Sequence, residues 1–253
     1  MIPAERRELI LRVLREGRFA AVADIAELAK SSEATVRRDL TRLESEGLAR
    51  RVRGGGEIAA PAQGAAELPL ERRKGIMAEK KRLIARAAAG LCHDGETVLI
   101  DGGSTTFHMA EFISGLKLQV ITNSFAIAVE LVRRSRCTVI LNGGIINPES
   151  QLVLDPFAED MFANYAASKA FMGVYGIDET GATNTETLLI KTERAMIDRA
   201  RELVILADSS KFDRRGSLWL CGFDRISTII TDSGISDRHR ELAASKGVKL
   251  IVV

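Results

Sequence analysis

The sequence contains few of the residues that build disulfide frameworks or metal sites. Its 253 residues include three cysteines and three histidines. Cys92, Cys137 and Cys221 lie far apart, without a CxxC pair, and the histidines are equally scattered. The sequence therefore predicts neither disulfides nor a metal site, and we expect buried, reduced thiols.

Long apolar runs and a strong net charge are also absent. No uninterrupted apolar stretch reaches the length of about 20 residues that a membrane-spanning helix needs. The first ten residues, MIPAERRELI, lack the apolar core of a signal peptide, so we expect a cytoplasmic protein with no membrane partner. Because the formal net charge is only +2, a nucleic-acid partner requires a local cluster of basic residues.

A basic cluster of this kind lies between Ser31 and Gly56, in the segment SSEATVRRDLTRLESEGLARRVRGGG. A serine hydroxyl at Ser31 or Ser32 can cap a helix, because it accepts hydrogen bonds from first-turn amides. Within that helix, three apolar residues are spaced for a single buried face: Val36, Leu40 and Leu43. The arginines left on the other faces are Arg37, Arg38 and Arg42.

A short basic hairpin is expected to follow this helix. Gly47 is expected to end the helix, and Leu48 to Val52 reads as a strand that runs into a glycine turn. The arginines of this hairpin are Arg50, Arg51 and Arg53. A helix with exposed arginines followed by a basic hairpin suits duplex DNA, because the helix fits the major groove and the hairpin touches the backbone or minor groove.

Two further helices are predicted before this cluster. Apolar spacing places them at Ala4 to Glu16 and at Val22 to Ala29, and on the second we expect Ile25, Leu28 and Ala29 to point inward. Three helices and a hairpin in fewer than sixty residues fit the winged helix-turn-helix plan, in which the third helix reads the DNA.

The pattern changes beyond Gly54. Gly54 to Ala66 is rich in glycine and alanine and has no periodicity, so we interpret it as a flexible connector. A helix is predicted at Glu79 to Leu91, and short apolar runs then alternate with amphipathic segments of helical period. The predicted strands are Thr97–Ile100, Val120–Thr122, Thr138–Leu141, Ala170–Val174, Leu203–Ala207, Thr228–Thr231 and Leu250–Val253. The predicted helices between them are Thr106–Ile113, Ala126–Arg133, Glu186–Ala200 and Asp237–Ser245.

Strands that alternate with helices predict an α/β domain with a doubly wound, mostly parallel sheet covered on both faces. The expected organisation is a winged helix-turn-helix DNA-binding domain at residues 1–56, a linker at 57–76, and an effector domain at 77–253.

Polar and small residues follow three of the predicted strands. Ligands of parallel sheets bind beyond the carboxyl ends of the strands, where backbone amides and hydroxyls can cradle an anion. The sequences DGGSTT, TNS and NGG stand at these positions, and they supply these candidates: Asp101, Gly102, Gly103, Ser104, Thr105, Thr106, Thr122, Asn123, Ser124, Gly143 and Gly144. None of them forms a Walker A or GxGxxG motif, so no cofactor is expected. The alternative for each loop is an ordinary turn.

Two charged residues extend this set of candidates. Lys211, in the sequence DSSK, follows another predicted strand and is a point charge suited to a sugar phosphate. Asp178, in GID, can accept hydrogen bonds from sugar or polyol hydroxyls. A solvated lysine and a structural Asx turn remain the alternatives. Trp219 and Phe223 are expected in the core rather than in a stacking platform.

These motifs together resemble the DeoR family of bacterial repressors of sugar metabolism. The resemblance rests on TVRRDLTRLESEGLARRVRGGG in the N-terminal part and on DGGSTT, TNS, NGG, KAFMGVYGID and LADSSKF in the C-terminal part. It covers nearly the whole chain, in the order that the family shows. The chain departs from the family at three points: a glycine at Gly56 where alanine is usual, Asp155 before Pro156 where glycine is usual, and Asp213 after Phe212 where glycine is common.

The resemblance implies an oligomeric repressor, a homodimer or homotetramer, of a carbohydrate-metabolism operon. It also implies a sensor domain related to ribose-5-phosphate isomerases and CoA transferases, with a phosphorylated sugar or polyol as effector and double-stranded operator DNA as partner. The DNA-binding residues that it implies are Ser32, Thr35, Arg37, Arg38, Arg42, Arg51 and Arg53. Asp155 could alter the preference for the effector.

An enzyme is the alternative: a sugar-phosphate isomerase with an appended DNA-binding head. Such chemistry needs a carboxylate that moves a proton beside a carbonyl group. Asp101 and Asp178 are available, but the sequence pairs neither of them with an acid or base partner. We therefore expect no catalytic residues, since a related fold alone does not confer activity.

Overall fold

The computed structural model describes residues 3–17, 19–45, 49–58, 68–154 and 161–253. The chain divides into two compact units, with the boundary between Met77 and Ala78. Within the described residues, no helix is both long enough and apolar enough to cross a lipid bilayer.

The first unit is a three-helix core with a small antiparallel sheet. Its helices are α1 (Pro3–Gly17), α2 (Val22–Leu28), α3 (Glu33–Ser45) and α4 (Leu70–Gly75), and its strands are β1 (Phe19–Ala21), β2 (Ala49–Val52) and β3 (Gly55–Ile58). The strands are ordered β1-β3-β2, so that β2 and β3 form the wing and β1 extends it. This arrangement confirms the winged helix-turn-helix plan.

The core of the first unit uses the apolar faces that the sequence predicts. Ile10, Leu14, Val36, Leu40 and Leu43 are all buried from solvent. The prediction for α2 was wrong at one position, because Leu28 is 57% exposed while its neighbours Ile25 and Ala29 are buried. Leu28 is the last residue of α2, and the buried Ala29 follows it as the C-cap.

The segment interpreted as a flexible connector begins inside the wing. Gly55–Ile58 is a β-strand, which the sequence does not predict because a run of glycines shows no alternation. Within residues 57–76, which the sequence predicts to be a linker, Leu70–Gly75 forms α4. Gly47, Leu48 and most of the remaining connector lie outside the described residues.

The second unit is the α/β domain that the sequence predicts. Its helices are α5 (Ala78–Ala89), α6 (Met109–Ile113), α7 (Phe125–Arg134), α8 (Thr187–Asp198) and α9 (Asp237–Ser245). Its strands are β4 (Thr97–Ile100), β5 (Gln119–Thr122), β6 (Thr138–Leu141), β7 (Ile145–Ile146), β8 (Val153–Leu154), β9 (Ala167–Gly173), β10 (Gly176–Asp178), β11 (Gly181–Asn184), β12 (Ala200–Leu206), β13 (Leu218–Cys221), β14 (Thr228–Thr231) and β15 (Lys249–Val252).

Seven of these strands form a single parallel sheet in the order β6-β5-β4-β9-β12-β14-β15. The chain starts in the middle with β4, moves outward to β6, and then returns to the other side of β4 with β9. The strand order therefore reverses between β4 and β9, which is the point where open α/β sheets bind their ligands.

Alternate residues of each strand serve opposite faces of this sheet. On β4, Val98 and Ile100 join a core with residues of α5, α6 and α7, whereas Leu99 joins a second core with residues of α8 and α9. Both faces are thus covered by helices, as a doubly wound sheet requires.

Two small antiparallel sheets were not predicted. They are formed by β10, β11 and β13 and by β7 and β8, whose strands have only two to four residues. Trp219 lies on β13 and is 52% exposed, so its predicted core position was wrong, whereas Phe223 is buried. All three cysteines are reduced, and burial raises the pKa of Cys92 and Cys221 to about 12.

Candidate functional sites

Helix α3 presents a polar arginine face opposite its buried face. Arg37, Arg38 and Arg42 are exposed. On the buried side, Asp39 is tied to Arg6 of α1 by an ion pair between Asp39 Oδ2 and Arg6 Nε at 2.5 Å. That pair fixes α3 against α1, so the arginine face projects from a rigid support.

Two of these arginines differ in their surroundings. Arg37 Nη2 lies 2.7 Å from Glu33 Oε2, in an exposed i,i+4 pair. The side chain of Arg38 makes no ion pair or hydrogen bond with any residue that the structure describes. Exposed pairs contribute only about 0–1 kcal/mol to stability, so an incoming phosphate group can replace Glu33 at small cost.

The start of α3 is capped by Ser32. Its Oγ accepts a hydrogen bond from the Thr35 backbone N–H at 3.2 Å and lies 2.9 Å from Thr35 Oγ1. Both hydroxyls are therefore at the first turn of the helix, where backbone amides carry partial positive charge.

The wing is anchored on α3 by one of its arginines. The Arg51 backbone N–H donates to Glu44 Oε1 at 3.0 Å, and Arg51 Nη1 donates to Thr41 Oγ1 at 2.9 Å. Arg53 is exposed in the turn of the hairpin. The structure thus separates an arginine that positions the wing from one that lies open at its tip.

The glycines after Arg53 permit close packing of the wing. A Cβ atom at Gly55 would lie 2.2 Å from the Ala20 carbonyl oxygen, and one at Gly56 would lie 2.7 Å from Leu40 Cδ2. The first contact involves backbone and excludes a side chain. The second involves the end of a side chain that belongs to the buried face of α3.

The second candidate site surrounds the carboxyl end of β4. The Gly102 N–H donates to Asn123 Oδ1 at 2.8 Å, and Asn123 Nδ2 donates to Asp101 Oδ1 at 2.8 Å. Asp101 and Asn123 are both buried. The loops after β4 and β5 are therefore joined side by side, as their predicted place at one sheet edge requires.

Gly102 also lies beneath Leu152, in the segment that leads into β8. A Cβ atom at Gly102 would lie 2.0 Å from Leu152 Cδ2 and 3.0 Å from Ser124 Cβ. Gly103 lies close to Gly173 at the end of β9, with 3.9 Å between its would-be Cβ and Gly173 Cα. The loop thus reaches the point where the strand order reverses. Asp155 and Pro156, which follow β8, lie outside the described residues.

The loop after β4 opens into a short 3-10 helix at Thr106–His108 before α6, rather than directly into an α-helix. Thr106 Oγ1 donates to the Gly103 carbonyl at 3.0 Å, and Thr105 is buried. Because α6 has only five residues, a helix dipole adds little here. Backbone amides and the Ser104 hydroxyl are the main groups that this loop offers to an anion.

The side chains after β5 are used within the protein. Thr122 Oγ1 donates to the Ile100 carbonyl at 2.6 Å, and Ser124 Oγ accepts from the Ile127 N–H at 3.3 Å, which caps α7. Both residues are buried. They fix the sheet edge, whereas Asn123 links it to the neighbouring loop.

Gly143 and Gly144 lie farther away, after the edge strand β6, which is two strands from β4. Both are exposed. Gly144 has a φ of 138°, a value that strongly favours glycine. The preceding residue, Asn142, is buried, and its Nδ2 donates to the Val153 carbonyl at 3.2 Å.

Asp178 is the last residue of β10 in the small sheet, where the turn to β11 begins. Its Oδ1 accepts hydrogen bonds from the Thr180 N–H at 2.8 Å and the Thr180 hydroxyl at 2.5 Å, and Arg215 Nε lies 3.5 Å from its Oδ2. Burial alone would raise the pKa of Asp178, but these hydrogen bonds and the Arg215 charge outweigh it and lower the pKa. This geometry is the Asx turn that was the alternative reading.

Lys211 ends a short 3-10 helix, Ser209–Lys211, that follows β12. Asp208 caps this helix, because its Oδ1 accepts from the Ser210 N–H at 3.0 Å. Since β12 is adjacent to β9, Lys211 lies on the same sheet edge as the loop after β4.

Sequence reasoning missed two lysines at the start of α5. Lys81 is only 5% exposed, and its Nζ donates to Ser104 Oγ at 3.0 Å. Lys80 Nζ lies 2.7 Å from Asp232 Oδ2, and Asp232 Oδ1 accepts from the Ser209 N–H at 2.6 Å. Lys81 thus contacts the loop after β4 directly, whereas Lys80 is linked through Asp232 to the segment that contains Lys211.

A signal for Lys81 is present in the sequence. It lies three and four residues before Ile84 and Ala85, on the buried face of α5. A lysine on an apolar face is rarely fully buried without a polar partner, so this position indicates a lysine that contacts a polar group inside the domain.

The comparisons with known proteins agree with both halves of this description. A model of the DeoR-like helix-turn-helix domain matches residues 6–61, and a model of the DeoR C terminal sensor domain matches residues 76–233. The chain is 31% identical over 252 residues to a putative aga operon transcriptional repressor of Escherichia coli O157:H7, covering 99% of this chain and 94% of that one. It is 30% identical over 253 residues to the HTH-type transcriptional regulator UlaR of Shigella dysenteriae, covering 100% of both.

Among solved structures, the ribose 5-phosphate isomerase of Plasmodium falciparum overlaps 52% of each chain with a TM-score of 0.38 at 18% identity. That likeness is too low to bear on function. The family models and the full-length relatives show that the chain belongs to the DeoR family of transcriptional regulators.

Proposed function

We propose that the chain represses a carbohydrate-metabolism operon and that a phosphorylated sugar or polyol controls its affinity for operator DNA. The observation that carries the DNA half is the two-sided α3, with Val36, Leu40 and Leu43 buried and Arg37, Arg38 and Arg42 exposed. The relative from E. coli O157:H7 is named a repressor of the aga operon, which supports a role in sugar metabolism.

In this proposal α3 enters the major groove and the wing follows the backbone. Arg38 is the strongest candidate for a base contact, since it is exposed and has no ion pair with a described residue. Arg37, Arg42 and Arg53 supply charge for phosphates, and the amides near Ser32 and Thr35 can bind a phosphate at the helix start. Arg51 acts mainly by holding the wing on α3.

The effector site is proposed at the carboxyl edge of the sheet. Ser104, the amides of Gly103, Thr105 and Thr106, and the buried Lys81 supply donors for a phosphate group. The Gly102 amide instead holds the loop in place through its hydrogen bond to Asn123. Asp101 and Asn123 supply polar atoms for hydroxyl groups, and Lys211 adds positive charge on the same edge. The sheet edge around this site is formed by Thr122, Ser124, Gly143 and Gly144. Asp178 is a weaker candidate for effector binding, because its carboxylate already accepts two hydrogen bonds from Thr180.

The proposal includes a division of labour along the chain. Residues 1–56 bind DNA, 57–76 link, and 77–253 sense the effector in a cytoplasmic homodimer or homotetramer. Two copies would present two reading helices to paired half-sites. Effector binding would change operator affinity by a coupling free energy of about 1–3 kcal/mol.

Operator binding can be tested with the DNA upstream of the gene and of its neighbouring operons. We expect specific binding, with an association constant whose logarithm falls linearly with the logarithm of the salt concentration. A protein that binds none of these fragments more tightly than unrelated DNA would contradict the repressor function.

Effector binding can be tested by thermal unfolding with a panel of phosphorylated sugars and polyols, each beside its unphosphorylated form. A ligand at a hundred times its Kd stabilises the protein by about 2.7 kcal/mol. Lys81→Met should abolish the stabilisation, whereas Lys246→Met, which removes an exposed lysine, should preserve it. Equal stabilisation by the unphosphorylated forms would exclude a phosphate site.

We propose no catalytic role for the crevice. Purified protein is expected to show no aldose–ketose interconversion with any phosphosugar that stabilises it. Measurable turnover that copurifies with the protein and is lost on substitution of Asp101 would instead favour the isomerase alternative.

A further inference from the structure

Glu193 occupies a position on α8 where an apolar residue is expected. The buried face of α8 also contains Leu189, Ile190, Met196 and Ile197, and Glu193 lies among them with 1% of its surface exposed. Glutamate side chains are almost never fully buried unless they have a partner. A role in packing does not explain this side chain.

One carboxyl oxygen of Glu193 has a partner and the other does not. Oε1 accepts a hydrogen bond from Asn184 Nδ2 at 2.6 Å. The orientation of that amide is fixed, because Asn184 Oδ1 accepts from the Tyr175 N–H at 2.8 Å. Oε2 is buried and has no hydrogen-bond partner among the described residues.

The charged and titratable groups that face this carboxyl come from three elements. Asp101 directly follows β4, while Glu186 and Arg194 belong to the cap of α8 and to α8 itself. Arg194 is exposed and donates a hydrogen bond to the carbonyl of Trp219. The thiol of Cys221 on β13 is neutral, since burial raises its pKa to about 12.

These surroundings favour the protonated form of Glu193. Burial and, next, the negative charge of Asp101 raise its pKa well above the ordinary value. Glu186 acts in the same direction, and the opposing effects of Asn184 and Arg194 are smaller. A neutral carboxylic acid whose Oε1 already accepts a hydrogen bond carries its proton on Oε2, and it is then a donor.

The position of this donor connects it with the effector crevice. Glu193 is hydrogen-bonded to Asn184, which is hydrogen-bonded to the backbone of Tyr175. Tyr175 follows Gly173 by two residues, and Gly173 lies close to Gly103 in the loop after β4.

Asp101 begins that loop and is held there by Asn123. Ser104 and Lys81 lie farther along the same loop and on α5. The loop after β4 thus has Asp101 at its start and Ser104, in contact with Lys81, three residues later. A phosphate group belongs with the cation, and the oxygen atoms of a sugar chain belong with the acids.

We propose that Glu193 is an effector-binding residue that donates a hydrogen bond from Oε2 to a hydroxyl or carbonyl oxygen of the effector. This inference rests on the proposed function and adds a specificity determinant to it. A buried donor left without an acceptor costs about 1–3 kcal/mol, so ligands that lack an oxygen at this place are rejected. Deprotonation of Glu193 removes the donor and adds a second charge beside Asp101, which weakens binding.

The test measures the Kd of a stabilising phosphosugar from pH 7 to pH 9 by calorimetry, in a range where phosphate monoesters are already doubly ionised. The wild-type Kd should rise with pH across this range, as Glu193 loses its proton. Glu193→Gln keeps a neutral donor, and its Kd should stay within about threefold of the wild-type value at pH 7 and change little with pH. Glu193→Leu has no donor and should bind about tenfold more weakly at pH 7.

Glu202→Gln is the matched control, because it makes the same substitution at an exposed position, and it should follow the wild-type pH profile. A wild-type Kd that is constant with pH, or a Glu193→Leu variant that binds as the wild type does, would overturn the inference and leave the proposed function intact. If no phosphosugar stabilises the wild type, the proposed function fails, and the ligand role of Glu193 fails with it.

The protonation itself can be measured without an effector. A carboxyl group whose folded pKa is raised contributes stability at acidic pH and loses it as the pH rises towards the folded pKa. The unfolding free energy of the wild type should therefore decline relative to Glu193→Gln as the pH rises above about 4.3. If the difference in unfolding free energy between the two proteins is independent of pH, or changes in the opposite direction, Glu193 is not a neutral acid in the folded protein.

Discussion

The arginine face of α3 and the crevice at the end of β4 both consist of polar side chains, but the protein holds them in opposite ways. On α3, the side chains of Arg37 and Arg38 are exposed and make at most one surface ion pair. In the crevice, Asp101 and Asn123 are buried and hydrogen-bonded to each other. A surface that meets a large, highly charged partner can leave its side chains mobile, whereas a small ligand needs groups fixed in advance.

This difference predicts that substitutions of the buried, hydrogen-bonded groups lower the free energy of unfolding. Substitutions of the exposed arginines on α3 should change only DNA binding. The largest effect is expected at Asp232, whose carboxylate accepts from Ser209 N–H, Ser209 Oγ, Gly234 N–H and Lys80 Nζ. Asp232→Ala leaves these donors without their acceptor and should lower the unfolding free energy by about 3 kcal/mol. Denaturant unfolding followed by circular dichroism measures this loss, with the exposed Asp224→Ala as control.

Asp232 also predicts a dependence on pH. Burial alone would raise its pKa, but the hydrogen bonds from Lys80, Ser209 and Gly234 lower it overall. A depressed folded pKa contributes stability above the unfolded pKa, and that stability is lost as the pH falls through the folded value. The wild-type advantage over Asp232→Ala should therefore shrink below about pH 4, and an advantage that grows in acid would refute this role.

The next effect is expected on the arginine face. Arg38→Ala should weaken operator binding by about 1–3 kcal/mol and relax the preference for one base pair, without changing the unfolding free energy. Quantitative gel-shift titration at two salt concentrations measures this. Arg12→Ala removes an exposed arginine of α1 and should have a smaller effect. If Arg38→Ala also lowers the unfolding free energy, the arginine face does not differ from the crevice in the way described.

Two helix caps allow the comparison to be made with the same substitution. Ser32 caps α3 in an exposed place, and Ser124 caps α7 with 1% exposure. Ser→Ala at a cap costs about 0.5–2 kcal/mol. We expect Ser32→Ala near the lower end, because water can replace the hydroxyl, and Ser124→Ala near the upper end. Thermal unfolding gives both values, and equal losses would contradict the assumed role of burial.

The smallest effect is expected at Asp178. Asp178→Asn keeps an acceptor for Thr180 and loses only the weak pair with Arg215, so the unfolding free energy should change by less than about 0.5 kcal/mol. Effector affinity should change less than twofold. A tenfold loss of affinity at constant stability would instead assign Asp178 to the effector site.

The sequence predicted the elements whose signals are local. The boundaries of β4, β6, β14 and α9 agree with their apolar runs, because each run is long enough to mark one buried face. The capping serine and the buried face of α3 were equally visible. The strands β7, β8 and β10 were missed because two or three residues carry too little pattern, and β11 was missed because Gly181–Asn184 contains no large apolar residue. The prediction also overlooked the apolar run of β13, Leu218–Cys221.

The candidate site shows the same limit. Its loops were predicted because each follows a strand. Lys81 was missed because it lies on a helix and meets Ser104 only after α5 has packed on the sheet. Glu193 was missed because it lies on a helix face that is otherwise apolar. The predictions for Leu28 and Trp219 were wrong because a large apolar side chain was assumed to be buried. Leu28 lies at the end of α2 and Trp219 lies on β13, and both side chains are exposed to solvent.

Trp219 is the single tryptophan of the chain, and it lies on the surface of the second unit, with the Arg194 guanidinium 5.7 Å from its ring centre. Its ultraviolet emission therefore reports on the effector-sensing half alone, with no contribution from the DNA-binding half. Arg194 is the neighbour of Glu193 along α8, so a ligand that shifts this helix should alter the quenching of the indole. The protein thus carries a built-in optical probe for separating events at its two ends.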